Sequence, residues 1–294
     1  MPRIPLPPQL AKAPFAVGHA LELGVGRGRL RGPDLLRPFH GVRSSTATHA
    51  ALAYAPRLRS GDRFSHLSAA AIWPVPLPNL RHPVHVTTAL PGNRVRSAGV
   101  IGHRSAPGLA TIRHGLPVSD PVALLVELAT LLTEEDLVAV GDSLVLSPEV
   151  LDPYDVRPWI SVRELRDGCA ASRSPGARRA RRAAEQVRQG AESRAETRLR
   201  LLILSAGLPE PELQGKVFDA RGFVGRFDMV YREARVIVEY DGDQHRTSTR
   251  QYEWDMTRID RALADNWKVV RVRSAGLSHR RALTVARVRD ALTR

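Results

Sequence analysis

Residues 227–246 read FDMVYREARVIVEYDGDQHR, and the rest of the chain is understood from this stretch. Two β-rich apolar runs, 223–230 and 234–240, flank Tyr231, Arg232 and Glu233, a pattern that predicts a tight antiparallel hairpin. Through Val236, Ile237 and Val238 the apolar run is unbroken, as in a strand covered on both faces, which predicts a central position in a sheet. Asp228 falls in the first strand and Glu239 near the end of the second. A buried carboxylate needs a cation or a hydrogen-bond donor. Two that converge offer a hard oxygen ligand set that suits Mg²⁺. Asp241-Gly242-Asp243 then turns the chain, and His245 follows within reach of the same strand end, where an imidazole can move a proton. The same residues also suit an ordinary turn, because Asp beside Gly is common turn chemistry.

Asp228 followed by Glu239-Tyr240-Asp241-Gly242-Asp243-Gln244-His245 resembles the core of the very-short-patch-repair-like endonuclease family within the PD-(D/E)XK nuclease superfamily. Upstream, Glu196 and Gln214 in the segment 192–214 stand where that family has Glu and Gln. Downstream, the resemblance runs through Gln251, Asp255 and Arg258 to the run 267–272, so that it covers about residues 190–294. It implies an α/β (α+β) fold whose C-terminal part is a restriction-endonuclease-like mixed sheet flanked by helices. In that fold Asp228 and Glu239, with the Tyr240 carbonyl, hold Mg²⁺, or Mn²⁺ in its place. Glu196, Asp241 and His245 complete the implied catalytic set, with Gln214, Gln244 and Arg258 in support. The lysine of the superfamily's name is absent, since Asp241 stands in its position; repair-type members also lack it and place a histidine nearby. The activity implied is metal-dependent hydrolysis of DNA phosphodiester bonds, in repair or phage defence.

The composition points to the same kind of partner. A 294-residue chain has room for two domains, each with its own core, and its formal net charge is +14. That excess, with a pI near 11.1, favours a polyanion such as DNA, because each phosphate neutralised releases a counterion. Almost all of the positive charge is arginine, with lysine only at Lys12, Lys216 and Lys268, a bias that GC-rich coding also produces. The single cysteine, Cys169, excludes an internal disulfide and a cysteine-based zinc site. No apolar run reaches the length of a membrane span, and the proline-rich start lacks the apolar core of a signal peptide. The expectation is a soluble, cytoplasmic protein with no membrane partner.

The first 43 residues predict helix, turn, helix and a short hairpin, with the first helix over 16–23 and a second segment opening at Arg27-Gly28-Arg29. This resembles the truncated winged helix that begins abortive-infection type IV (AbiEi-like) antitoxins, and implies phosphate contacts from residues such as Arg27 and Arg29. Residues 44–168 resemble the α/β body that follows in those proteins. Strands are expected at 84–88 and 100–104, paired across Pro91-Gly92-Asn93, and helices begin at Asp120-Pro121, Thr133 and Ser161, each with a capping residue. Residues 169–189 are read as an arginine-rich linker helix. Between Arg173 and Arg200 nine arginines stand against three glutamates, and Arg178, Arg179, Arg181 and Arg182 are candidates to grip phosphate. A solvated helix between domains reads equally well.

His66, His82, His85, His103 and His114 show no helical pairing and no acidic or cysteine partner at ligand spacing, so the expectation is that they do not form a metal site. Ser65 and His66 are sequence neighbours on an expected helix and are not expected to face each other. Two functional readings remain from the sequence: a metal-dependent endonuclease, and a non-catalytic DNA-binding regulator or antitoxin. A toxin–antitoxin or defence partner protein is the remaining partner expectation.

Overall fold

The computed structural model describes residues 4–78, 83–242 and 249–293, with side chains from 254 onward in the last stretch. The chain is a mixed α/β protein that divides into two compact units, Met1–Val75 with Asn79–Thr130 and Ser174–Gly176, and Pro76–Pro78 with Leu131–Arg173 and Ala177–Arg294. The division thus runs after Thr130 rather than at the expected 168/169 boundary.

The first unit opens with α1 (Pro8–Ala11), β1 (Phe15–Ala16), α2 (Val17–Glu22), a 3₁₀ turn at Arg29–Arg31 and β2 (Val42–Arg43), which pairs antiparallel with β1. Leu10, Phe15, Ala20, Val25, Leu30 and Leu35 form its small core. The expected second helix is only that 3₁₀ turn, consistent with the weak helix propensity of Gly26 and Gly28 beside it. The expected 35–43 hairpin is present only as an antiparallel bridge between Leu36 and Ser44, which exchange N–H···O bonds of 2.8 and 3.2 Å, while β2 pairs with β1.

After α3 (Ala50–Tyr54) come β3 (Asp62–Phe64), α4 (His66–Ile72), β4 (Val84–Ala89), β5 (Val100–Ser105), β6 (Ala110–Arg113), β7 (Leu116–Ser119) and α5 (Pro121–Leu128). The strands form one sheet in the order β5-β4-β3-β7-β6. β6 and β7 make a hairpin whose two turn residues, His114 and Gly115, both have positive φ, the twist that a two-residue turn requires. β4 and β5 pair parallel, with Thr87 opposite His103, not across a hairpin. A parallel pair needs a crossover rather than a tight turn, and residues 90–99 supply one without a helix of their own.

The second unit begins with α6 (Glu134–Val145), capped by Thr133, and α7 (Val162–Ala171), opened by a capping box between Ser161 and Glu164. α8 (Ala177–Gln186) buries Ala177, Ala180, Ala183 and Ala184 on one face and packs on α6 and α7, so the arginine-rich helix belongs to this core rather than to a linker. α9 (Arg194–Ser205) leads into β8 (Glu212–Asp219), β9 (Gly222–Tyr231), β10 (Val236–Tyr240), α10 (Thr249–Ala264), β11 (Lys268–Val272), α11 (Ser274–Leu277) and α12 (Arg281–Thr293). The sheet order is β11-β10-β9-β8, with β10 and β11 parallel and the remaining pairs antiparallel. The hairpin and the central place of β10 are as the sequence predicts.

Alternation along these strands supplies two cores. Met229, Tyr231, Val236, Val238, Val270 and Val272 meet Leu199, Leu202 and Ile203 of α9 and Val288 of α12. Val217, Val224, Val230, Ile237 and Trp267 meet Ala262 of α10 on the opposite face. Among the described residues no helix is long and apolar enough to cross a membrane.

Candidate functional site

The antiparallel register of β9 and β10 ends at Val238 opposite Met229; Asp228 and Glu239 are the next residues of the two strands, and the charge of Glu239 acts on Asp228. There the ladder changes character, for the Asp228 carboxylate accepts the Tyr240 N–H at 2.8 Å through Oδ2. Both carboxylates lie on the face that α10 covers, because they alternate with the residues facing α9. Arg258 of α10 reaches down to them, with Nη1 2.8 Å from Glu239 Oε1, and is itself fixed by Asp255 at 3.1 Å and the Arg226 carbonyl at 2.9 Å. Its guanidinium lies over the Phe227 ring, 4.7 Å from the centroid. Glu196 enters from the first turn of α9, where Ser193 caps the helix. Its Oε2 accepts the Glu192 N–H at 2.9 Å and the Gln214 amide at 3.0 Å. Gln214 stands at φ +52 within β8, a left-handed backbone that an unbranched polar residue tolerates.

Electrostatically this is a concentration of negative charge in a poor solvent. Burial, then the charges of Glu196 and Glu239, push the Asp228 carboxyl well above its ordinary range. Burial raises Glu239 too, and the guanidinium of Arg258 offsets only part of the cost. Glu196 is raised by burial, against the hydrogen bonds it accepts. Among the described residues, the buried Glu196 and Glu239 and the half-buried Asp228 face Arg258, with Arg271 acting on Glu239 and Arg226 on Glu196 from further off, and the arrangement favours a further cation, or a proton, among them. The donors are all carboxylate oxygens, which fit a hard ion such as Mg²⁺. Glu196, Asp228 and Glu239 do not all offer oxygens within 4.8 Å of one another. The pair Asp228 and Glu239 is thus the candidate ligand pair.

The remaining expected site residues divide. Asp241 turns to β11 and its far end, with its Oδ2 3.0 Å from both Arg271 and Arg273, so its charge is already matched. Its N–H donates to the Val272 carbonyl at 2.8 Å, and Tyr240 gives its N–H to Asp228. Gln244 and His245 lie outside the described residues, as does the side chain of Gln251. Arg258, expected in a supporting role, pairs with Asp255 and Glu239. Arg226, which the sequence did not single out, forms a two-pronged ion pair with Glu192 at 2.7 and 3.1 Å beside Glu196.

The arginines expected to grip nucleic acid are similarly split. Arg179 donates to the Leu132 carbonyl and Arg182 pairs with Glu134, while Arg178 and Arg181 are exposed. In the first unit Arg29 pairs with Asp34 at 2.8 Å, and Arg27 is exposed.

In the first unit the structure brings together side chains that the sequence reading kept apart. His66, His85 and His103 come together, with ligand nitrogens all within 4.8 Å of one another. His66 Nδ1 also lies 3.1 Å from Ser65 Oγ, because Ser65 is extended and His66 has φ +50, so neither has the helix-interior geometry that would part them. Glu127 approaches that same nitrogen at 3.8 Å, and a serine-nucleophile relay needs the two partners on different nitrogens. Local spacing carried no signal of this cluster, since its members lie on different elements.

No known protein family and no curated protein matches the chain. Among solved structures, that titled "Crystal structure of RV2827C protein from Mycobacterium tuberculosis" is similar at a TM-score of 0.38 and 18% identity, over 71% of this chain and 84% of that chain.

Proposed function

We propose that the second unit is a metal-dependent endonuclease of the PD-(D/E)XK type acting on DNA. The observation that carries this reading is the pair Asp228 and Glu239 at a strand end, Glu239 buried and Asp228 half-buried, with Glu196 nearby and, among the described residues, Arg258 as the guanidinium in contact with Glu239. Burying such a set costs stability, and a scaffold alone gains nothing from it. Asp228 and Glu239 would hold Mg²⁺, which when bound activates water and offsets charge on the phosphate. Glu196 is the described residue suited to accept the proton of an attacking water, since burial raises its proton affinity and Gln214 fixes its carboxylate. Arg258 holds Glu239 in place and neutralises part of the negative charge that would repel a phosphodiester. The exposed Arg178 and Arg181 supply sequence-independent attraction to the DNA backbone.

One observation favours a second reading. The Arg258–Glu239 ion pair satisfies one of the two carboxylates from within, as in a sheet kept for DNA binding alone. Purified protein incubated with supercoiled plasmid under Mg²⁺, Mn²⁺ or EDTA separates the two. Nicking with either metal, lost with EDTA and in Asp228→Ala, is the expected result. DNA retardation without cutting under any metal overturns the nuclease in favour of the regulator.

A further inference from the structure

The first unit contains a second cluster of functional side chains, on the face of its sheet shared by Arg63, His85, Thr87 and His103. Register puts Arg63 opposite Thr87 and Thr87 opposite His103, with His85 two residues along the same strand. His66 is carried to them at the start of α4, because the Ser65 N–H continues the pairing with β4 by donating to the His85 carbonyl at 3.1 Å. The His85 N–H in turn donates to Ser68 Oγ at 2.9 Å, tying the first turn of α4 to the strand.

We propose that His66, His85 and His103 are the ligands of a divalent transition-metal ion, Zn²⁺ by its preference for neutral imidazoles, with an exchangeable position open to an arginine-lined cleft. The ligand nitrogens all lie within 4.8 Å of one another, and His85 Nδ1 is 3.0 Å from His103 Nε2. Two imidazoles on one tetrahedral Zn²⁺ hold their nitrogens about 3.3 Å apart, so the pair needs to open by only a few tenths of an ångström. The His85 and His103 rings stand 5.2 Å apart and the His66 and His85 rings 5.3 Å, while His66 lies over His103 at 3.9 Å and must swing to complete the set.

An independent observation points to a ligand in the same place. Thr87, 1% exposed, sits between Arg63 and His103 in register, and its Oγ1 has no hydrogen-bond partner among the described residues. A buried hydroxyl without a partner is costly, and a water on a metal beside His103 would supply one. The positive charge of Arg63 does not oppose the ion unscreened, because Glu127 pairs with it at 2.9 Å and also approaches His66.

The strained φ of His66 is held by the Glu127 carboxylate, which accepts its backbone N–H at 3.0 Å. Three neutral histidines with no acidic ligand form the kind of zinc site that keeps a position for water or an anion. His103 reaches a cleft of about 1010 Å³ lined also by Arg59, Arg94, Arg96 and Arg104, which selects oxyanions for that position.

The test uses full-length protein stripped with chelator, as wild type and as Asp228→Asn, which removes the carboxylate site from consideration. Both should bind one equivalent of Zn²⁺. Co²⁺ in its place should give the visible absorption of a four- or five-coordinate ion, and X-ray absorption on the zinc form should show imidazole nitrogens at about 2.0–2.1 Å. His85→Gln and His103→Gln, checked for native circular dichroism, should each weaken Zn²⁺ binding by about tenfold or more. Absence of stoichiometric binding in Asp228→Asn, unchanged affinity in both histidine variants, or zinc without imidazole scattering overturns the proposal. The absorption measurement on unmutated protein decides the matter even if a variant fails to fold.

Discussion

At the scale of single residues, Asp228 offers the clearest test. Its carboxyl is raised by burial and by its acidic neighbours, so the native state holds a proton that the unfolded chain has already released. Stability is therefore lost as pH rises from the ordinary carboxylate range through the raised value. In chelated protein Asp228→Asn, which keeps an acceptor for the Tyr240 N–H, should remove that loss. Its urea midpoint should vary less between pH 5 and pH 8 than that of the wild type and lie above it at pH 8, while nicking drops to the chelator background. A midpoint below wild type at pH 8 would show that Asp228 is instead stabilised as a charged structural group.

At the scale of elements, the arginines of α8 and α9 fall into two kinds that composition does not separate. Arg200 is fully buried, with Nη2 3.0 Å from Asp142 Oδ2, and Thr197 and the Arg188 N–H donate to the same carboxylate at 2.8 and 2.7 Å. Asp142→Ala takes the nearer counter-charge from that buried guanidinium, leaving Glu210 at 3.6 Å, and should cost about 3 kcal/mol in urea unfolding. Arg178 and Arg181 face solvent on α8, so replacing both with Ala should leave stability within about 0.5 kcal/mol. If each neutralises one phosphate, the double variant lowers the slope of log affinity against log salt for plasmid DNA by about 2. An unchanged slope removes α8 from the DNA-facing surface.

At the scale of the whole molecule, the chain's one thiol reports on the integrity of the second unit. Cys169 is completely buried in α7, and burial pushes its pKa up to about 11. Native protein at pH 8 should resist iodoacetamide, and alkylation should follow the urea transition instead of preceding it. Rapid labelling of native protein would mean that α7 opens well before the unit unfolds.

Local chemistry in the sequence determined much of the framework: caps at Asp120, Thr133 and Ser161, the β9–β10 hairpin, and the central strand at Val236–Val238, since capping and alternation act over a few residues. The same alternation placed Asp228 and Glu239 on one face of their strands, and the hairpin then brought their charges within reach of each other. Partnership was decided only in three dimensions. Charge does not state its counter-charge, so Asp241 matched to Arg271 and Arg273, and Arg200 matched to Asp142, were not legible. Strand direction depends on the path of the connection, so β4 and β5 pair parallel where a turn-like Pro91-Gly92-Asn93 suggested a hairpin. The three histidines stand about twenty residues apart, on a helix start and two strands. Only the parallel register, together with the continuation of β3 through Ser65, brings those imidazoles within reach of one ion.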